Sequence, residues 1–187
     1  MRVIDRVIGA LDAASVVAVC VLLCPDNAAD LLLALAVHEL AHVLAIRMLG
    51  GRIVSLAPAG FGFRLRYTGS LLSRRARFTA AIAGAAANFL IAFTSAMFGA
   101  LRLAAVNIVL AVFNLLPIDG LDGGEALASI LSVDGTGYTA GKICSVVSVV
   151  TAAVLWMVSV YIQLRVAPMP ETVIAASVLL IRELISK

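Results

Sequence analysis

The chain has 187 residues, of which 63% are hydrophobic and 13% charged, and its mean hydropathy is +1.10. A soluble domain of this length has a large polar surface to present, and this composition cannot cover it, which points to a polytopic membrane protein. The formal charge of +3 is too small to signal nucleic-acid binding and is better read by its position along the chain.

Five apolar stretches approach the roughly 20 residues needed to span a bilayer. They lie at 7–24, 28–49, 78–100, 103–118 and 143–162. A sixth, 172–181, is shorter and follows Pro168, Pro170 and Glu171; it is left open between spanning, re-entering and lying at the interface. The expected fold class is therefore an all-α polytopic membrane protein with five or six transmembrane helices. A single membrane-embedded domain would occupy 1–187, with a core at about 28–130 and C-terminal helices at about 143–185. Asp5 and Asp12 interrupt the N-terminal stretch, which does not read as a signal peptide. Cys20, Cys24 and Cys144 are odd in number and set in apolar sequence, so buried thiols are expected rather than a disulfide framework.

The loop after the second stretch carries Arg47, Arg52, Arg64, Arg66, Arg74, Arg75 and Arg77, with no acidic residue from Leu40 to Ile118. The positive-inside rule places it in the cytoplasm, and the acidic "CPDNAAD" connection falls on the other side. Within this loop, "FGFRLRY" alternates apolar with glycine or arginine at a period of two. With "RIVSL" before it and "PAG" between, it predicts a small β-hairpin at the cytoplasmic membrane surface. The competing reading is a solvated linker whose arginines meet lipid phosphates.

Both histidines of the chain lie in "LAVHELAHVLA", at His38 and His42, with Glu39 between them. On a helix, residues i and i+4 share a face, so two imidazoles at this spacing can hold one side of a tetrahedral zinc ion. Glu39 stands one residue on, close enough to act as general base in a His-Glu-x-x-His arrangement. Satisfied core polar groups would be the plain alternative. Three ionisable groups in one turn of an apolar span are costly, however, and usually mark function.

Zinc needs a third protein ligand, and no histidine remains. The segment "FNLLPIDGLDGGEAL" supplies Asp119, Asp122 and Glu125, with Pro117 ending the regular helix and three glycines permitting an irregular backbone. It lies on the same expected side as His38 and His42, so Asp122 is within reach of the metal.

Taken together, "HELAH" at 38–42, "GAAAN" at 84–88 and "NLLPIDGLDGG" at 114–124 resemble the blocks of the site-2 proteases, a family of intramembrane zinc metalloproteases. The resemblance covers roughly 30–130 and is nearest the sporulation branch that processes pro-sigma factors. It implies one zinc ion held by His38, His42 and Asp122, with Glu39 catalytic. It also implies that Asn114 positions substrate or the oxyanion, and that Asn88 has a packing or substrate-strand role. The chain departs from the family where Asp119 and Gly120 replace common prolines, Glu125 replaces a frequent arginine, and Ala85 follows Gly84. Asp119 is accordingly kept as an alternative ligand. A bacterial, multi-pass protein is expected, its active site on the cytoplasmic side and its substrate a membrane-associated protein. Inhibitory membrane partners are possible on the same analogy. The alternative is a catalytically silent zinc-binding scaffold of the same fold.

Overall fold

The computed structural model describes residues 28–59, 62–68, 73–132, 137–166 and 170–185. The elements are α1 (Ala28–Met48), β1 (Arg52–Ala59), β2 (Gly62–Thr68), α2 (Arg74–Met97), α3 (Leu101–Asn114), α4 (Asp122–Leu131), α5 (Gly137–Arg165) and α6 (Pro170–Ile185). The expected stretch at 7–24, with Asp5, Asp12, Cys20 and Cys24, lies outside the described residues.

Helix α1 buries one narrow stripe, Ala34, His38, His42 and Ile46, spaced by four. Leu32, Leu33, Leu40 and Leu44 stay exposed, as expected of a helix that turns its remaining faces to lipid. The stripe meets α2, whose buried positions are Ala80, Gly84, Ala85, Asn88, Ala92 and Ser95. Small residues let two backbones approach closely, which in lipid supplies the packing that the hydrophobic effect does not. Ser73 caps α2 by accepting a hydrogen bond from Ala76 N at 3.2 Å. Helix α3 packs on both, burying Ala104, Asn107, Ala111 and Asn114.

The expected fold class is corrected in its count of spans. Among the described residues, three helices are long and apolar enough to cross a membrane: Ala28–Met48, Arg74–Met97 and Gly137–Arg165. Helix α3 has only 14 residues, about 21 Å at 1.5 Å per residue, against a hydrocarbon core of about 30 Å. Its apolar sequence runs on to Ile118, but Pro117 has no N–H to continue the ladder. Leu116 N instead bonds to Phe113 O at 3.1 Å, and the chain leaves the helix. Helix α6 has 16 residues, so the segment expected at 172–181 is longer than anticipated yet still short of a full span. The chain is a membrane protein by these apolar helices, with fewer full spans among the described residues than the sequence led us to expect.

Strands β1 and β2 pair antiparallel from Arg52↔Thr68 to Ala59↔Gly62, with an irregularity between Ile53 and Ser55. Helix α4 follows a turn built from Leu116–Ile118 and Ile118–Leu121 backbone bonds, with Gly120 at φ +83°. Ile118 and Leu121 project from this turn into a cluster with Ala152 of α5 and Leu179 of α6. Arg77, at the start of α2, donates from Nη2 to Ser132 Oγ just past the end of α4 at 2.8 Å.

Candidate metal centre

Three side chains, two from α1 and one from the first residue of α4, converge on one point. His38 Nε2 lies 2.9 Å and His42 Nε2 3.1 Å from Asp122 Oδ2, and the two Nε2 atoms are 3.2 Å apart. The two histidines are buried and Asp122 is half-buried. In a tetrahedral zinc site with bonds of 2.0–2.1 Å, neighbouring ligand atoms stand about 3.3 Å apart. The observed triangle is close to one face of that tetrahedron.

The other side of each imidazole fixes its tautomer. His38 Nδ1 lies 2.6 Å from Asn88 Oδ1, and His42 Nδ1 lies 2.8 Å from the carbonyl oxygen of Ala80. Both partners accept, so both Nδ1 atoms carry the proton and donate. That turns two Nε2 lone pairs and a carboxylate oxygen towards one another, an arrangement that needs a cation or protons at its centre. The donor set fits zinc.

Asn88 is held so that it can only accept from His38. Its Nδ2 donates to Ala34 O at 3.1 Å and to Asn107 Oδ1 at 2.7 Å, while Asn107 Nδ2 donates to Leu103 O at 2.9 Å. Both asparagines are almost wholly buried. Each polar atom of the Asn88 side chain is engaged, orienting His38 and tying α1, α2 and α3 together.

Gly84 explains how α2 comes so near the cluster. A Cβ built at this position would fall 2.7 Å from both Nε2 and Cε1 of His38, and closer still to His42 Nε2. Only hydrogen fits in that cradle.

Asp122 opens α4, and two glycines let it do so. A Cβ on Gly123 would strike the Leu115 and Leu116 carbonyls, and one on Gly124 the Ile118 carbonyl. The Asp122 Oδ2 faces both Nε2 lone pairs, and as a metal ligand Asp122 would serve as the ionised carboxylate.

The remaining expected residues fall elsewhere. Glu39 is half-buried on α1, next to His38 in sequence. Asn114 donates from Nδ2 to Leu110 O at 3.0 Å, within its own helix, at the end of α3. Asp119 does not join the converging group, a correction to its place as alternative ligand. It lines a cavity of about 230 Å³ with Glu125, Cys144 and Ser145, because the Gly120 turn separates it from Asp122. The support from Asn107 was missed as a site feature; the signal was an amide in an otherwise apolar helix.

No protein-family model matches the chain. Rip3 of Mycobacterium tuberculosis, a candidate zinc metalloprotease, is 34% identical over 128 residues in both the Erdman and H37Rv strains. That match takes in 59% of this chain but only 32% of Rip3, so the chain spans about a third of the length of these curated relatives. Among solved structures, the site-2 protease from Methanocaldococcus jannaschii superposes with a TM-score of 0.68 at 17% identity. It covers 95% of this chain and 86% of that one. The chain thus has the fold of a site-2 protease, and part of it is related in sequence to a candidate zinc metalloprotease.

Proposed function

We propose that this chain is an intramembrane zinc metalloprotease of the site-2 protease type. The observation that carries the reading is the convergence of His38, His42 and Asp122 within 3.2 Å of one another, with Glu39 adjacent on the same helix. Zinc held by these three residues would supply a polarised, acidified water and a Lewis acid for the scissile carbonyl. Glu39 takes a proton from the attacking water and delivers it to the leaving amine nitrogen. Asn88 and the Ala80 carbonyl hold the imidazoles so that both Nε2 atoms face the metal. Asn114, at the end of α3, is the candidate for positioning the substrate or its oxyanion.

The proposed substrate is a membrane-embedded or membrane-associated protein, cleaved near the cytoplasmic face. The sidedness rests on Arg47, Arg52, Arg64, Arg66, Arg74, Arg75 and Arg77 in and around the connection from α1 to α2. A pro-sigma factor is the specific substrate proposed. Co-expression with a tagged, membrane-tethered pro-sigma factor tests this. Wild type and Asp119→Asn should shorten the substrate, whereas Glu39→Gln and Asp122→Asn should not. If wild type and Glu39→Gln behave alike while zinc is bound, the chain is a silent scaffold and the proposal fails.

A further inference from the structure

The turn that delivers Asp122 is gripped from behind by the two C-terminal helices. Ser148 of α5 is almost wholly buried, and Glu183 of α6 is wholly buried. Asp119 N–H donates to Ser148 Oγ at 2.8 Å, and the Ser148 hydroxyl in turn donates to Glu183 Oε2. At the next peptide unit, Arg182 Nη2 donates to the Asp119 carbonyl at 3.1 Å. Both backbone groups of Asp119, three residues before Asp122, are thus fixed by side chains from α5 and α6.

The apolar contacts act in the same direction. Ile118 and Leu121, either side of this residue, are packed against Ala152 and Leu179 of the same two helices. At Gly120 a Cβ would come within 2.5 Å of Arg182 Nη2, so the left-handed glycine also lets the guanidinium close over the turn. A carboxyl group in so apolar a place is costly unless it is paired and put to use. None of the metal-facing chemistry employs Glu183, and its bond to Ser148 ends on the backbone of the ligand turn.

We infer that Ser148, Arg182 and Glu183 are positioning residues that set the approach of the Asp122 carboxylate to the metal. The inference rests on the metal-site reading above and deepens it: α5 and α6 are part of the centre's support although they contribute no ligand. Partners that orient a ligand typically change metal affinity by about 10- to 100-fold when removed.

Titration of the purified metal-free chain with cobalt(II) tests this, since the visible d–d bands report both affinity and coordination geometry. Wild type should bind one cobalt with intense, tetrahedral-type bands. Glu183→Ala and Arg182→Ala should each bind at least about tenfold more weakly, with shifted or weakened bands. Glu183→Gln, which can still accept from Ser148, should recover most of the wild-type affinity and spectrum. Wild-type affinity and spectrum in Glu183→Ala would overturn the inference while leaving the metal site standing. Should Glu183→Ala fail to fold, Arg182→Ala decides in the same way, because its head group sits at the edge of the turn. A wild-type chain that takes up no cobalt overturns the metal-site reading, and this inference with it.

Discussion

At the scale of single residues, the centre depends as much on what is missing as on what is present. Gly84 leaves the space in which the two imidazoles sit, and Gly84→Ala should abolish stoichiometric zinc binding while the helices remain folded. Elemental analysis alongside circular dichroism would check this. Gly141, whose added Cβ meets nothing within 4 Å, provides the control: Gly141→Ala should keep its zinc and gain about 0.5–1 kcal/mol of helix stability. Asn88 acts through His38, so Asn88→Ala should weaken zinc by about 10- to 100-fold without removing a ligand, as read by competition with a chelating dye. The shared face of His38 and His42 was legible in the sequence because a helix turns i and i+4 to one side, a local property. The work of Asn88 was not, since its partners lie 50, 54 and 19 residues away on two other helices. Asp122 was legible through its block of glycines, and Asp119 could be set aside only once the Gly120 turn was seen.

At the scale of elements, the short helix α4 is the least expected and the most consequential. Its sequence, with buried Gly123, Ala126 and Ser129, was too short to stand out beside the apolar spans. Its function is to start abruptly, so that a carboxylate in the first turn meets two histidines from α1. Gly124→Val should displace that start against the Ile118 carbonyl and lower zinc occupancy as much as loss of a ligand does, by the same elemental measurement. Elsewhere the tolerance should be greater. Arg102 Nε pairs with Asp30 Oδ2 at 2.7 Å to join α3 to α1, but the arginine side chain is 63% exposed. Arg102→Ala should therefore cost less than about 1 kcal/mol in thermal unfolding and leave metal binding intact.

At the scale of the whole molecule, the division is between a ligand-bearing unit, α1 to α4, and a supporting pair, α5 and α6. Hydropathy announced most of the apolar helices, since lipid exposure demands long runs of Leu, Val, Ile and Ala. Among the described residues it over-counted the spans, because hydropathy continues through Pro117 although the helix does not. It was also silent on packing, and nothing in the order of α5 and α6 along the chain announces that Ser148 and Glu183 meet behind Asp119. The fold is that of a site-2 protease, and part of the sequence is related to Rip3. What the site geometry leads to most directly is one zinc ion bound by His38, His42 and Asp122. The direct measurement is zinc content with zinc-edge X-ray absorption on the purified chain, wild type beside Asp122→Ala and Asp119→Asn. The wild-type chain should hold one zinc, with two imidazole nitrogens and carboxylate oxygen at about 2.0–2.2 Å, lost in Asp122→Ala and kept in Asp119→Asn. A wild-type chain without stoichiometric zinc, or zinc retained unchanged in Asp122→Ala, would rule out this ligand set.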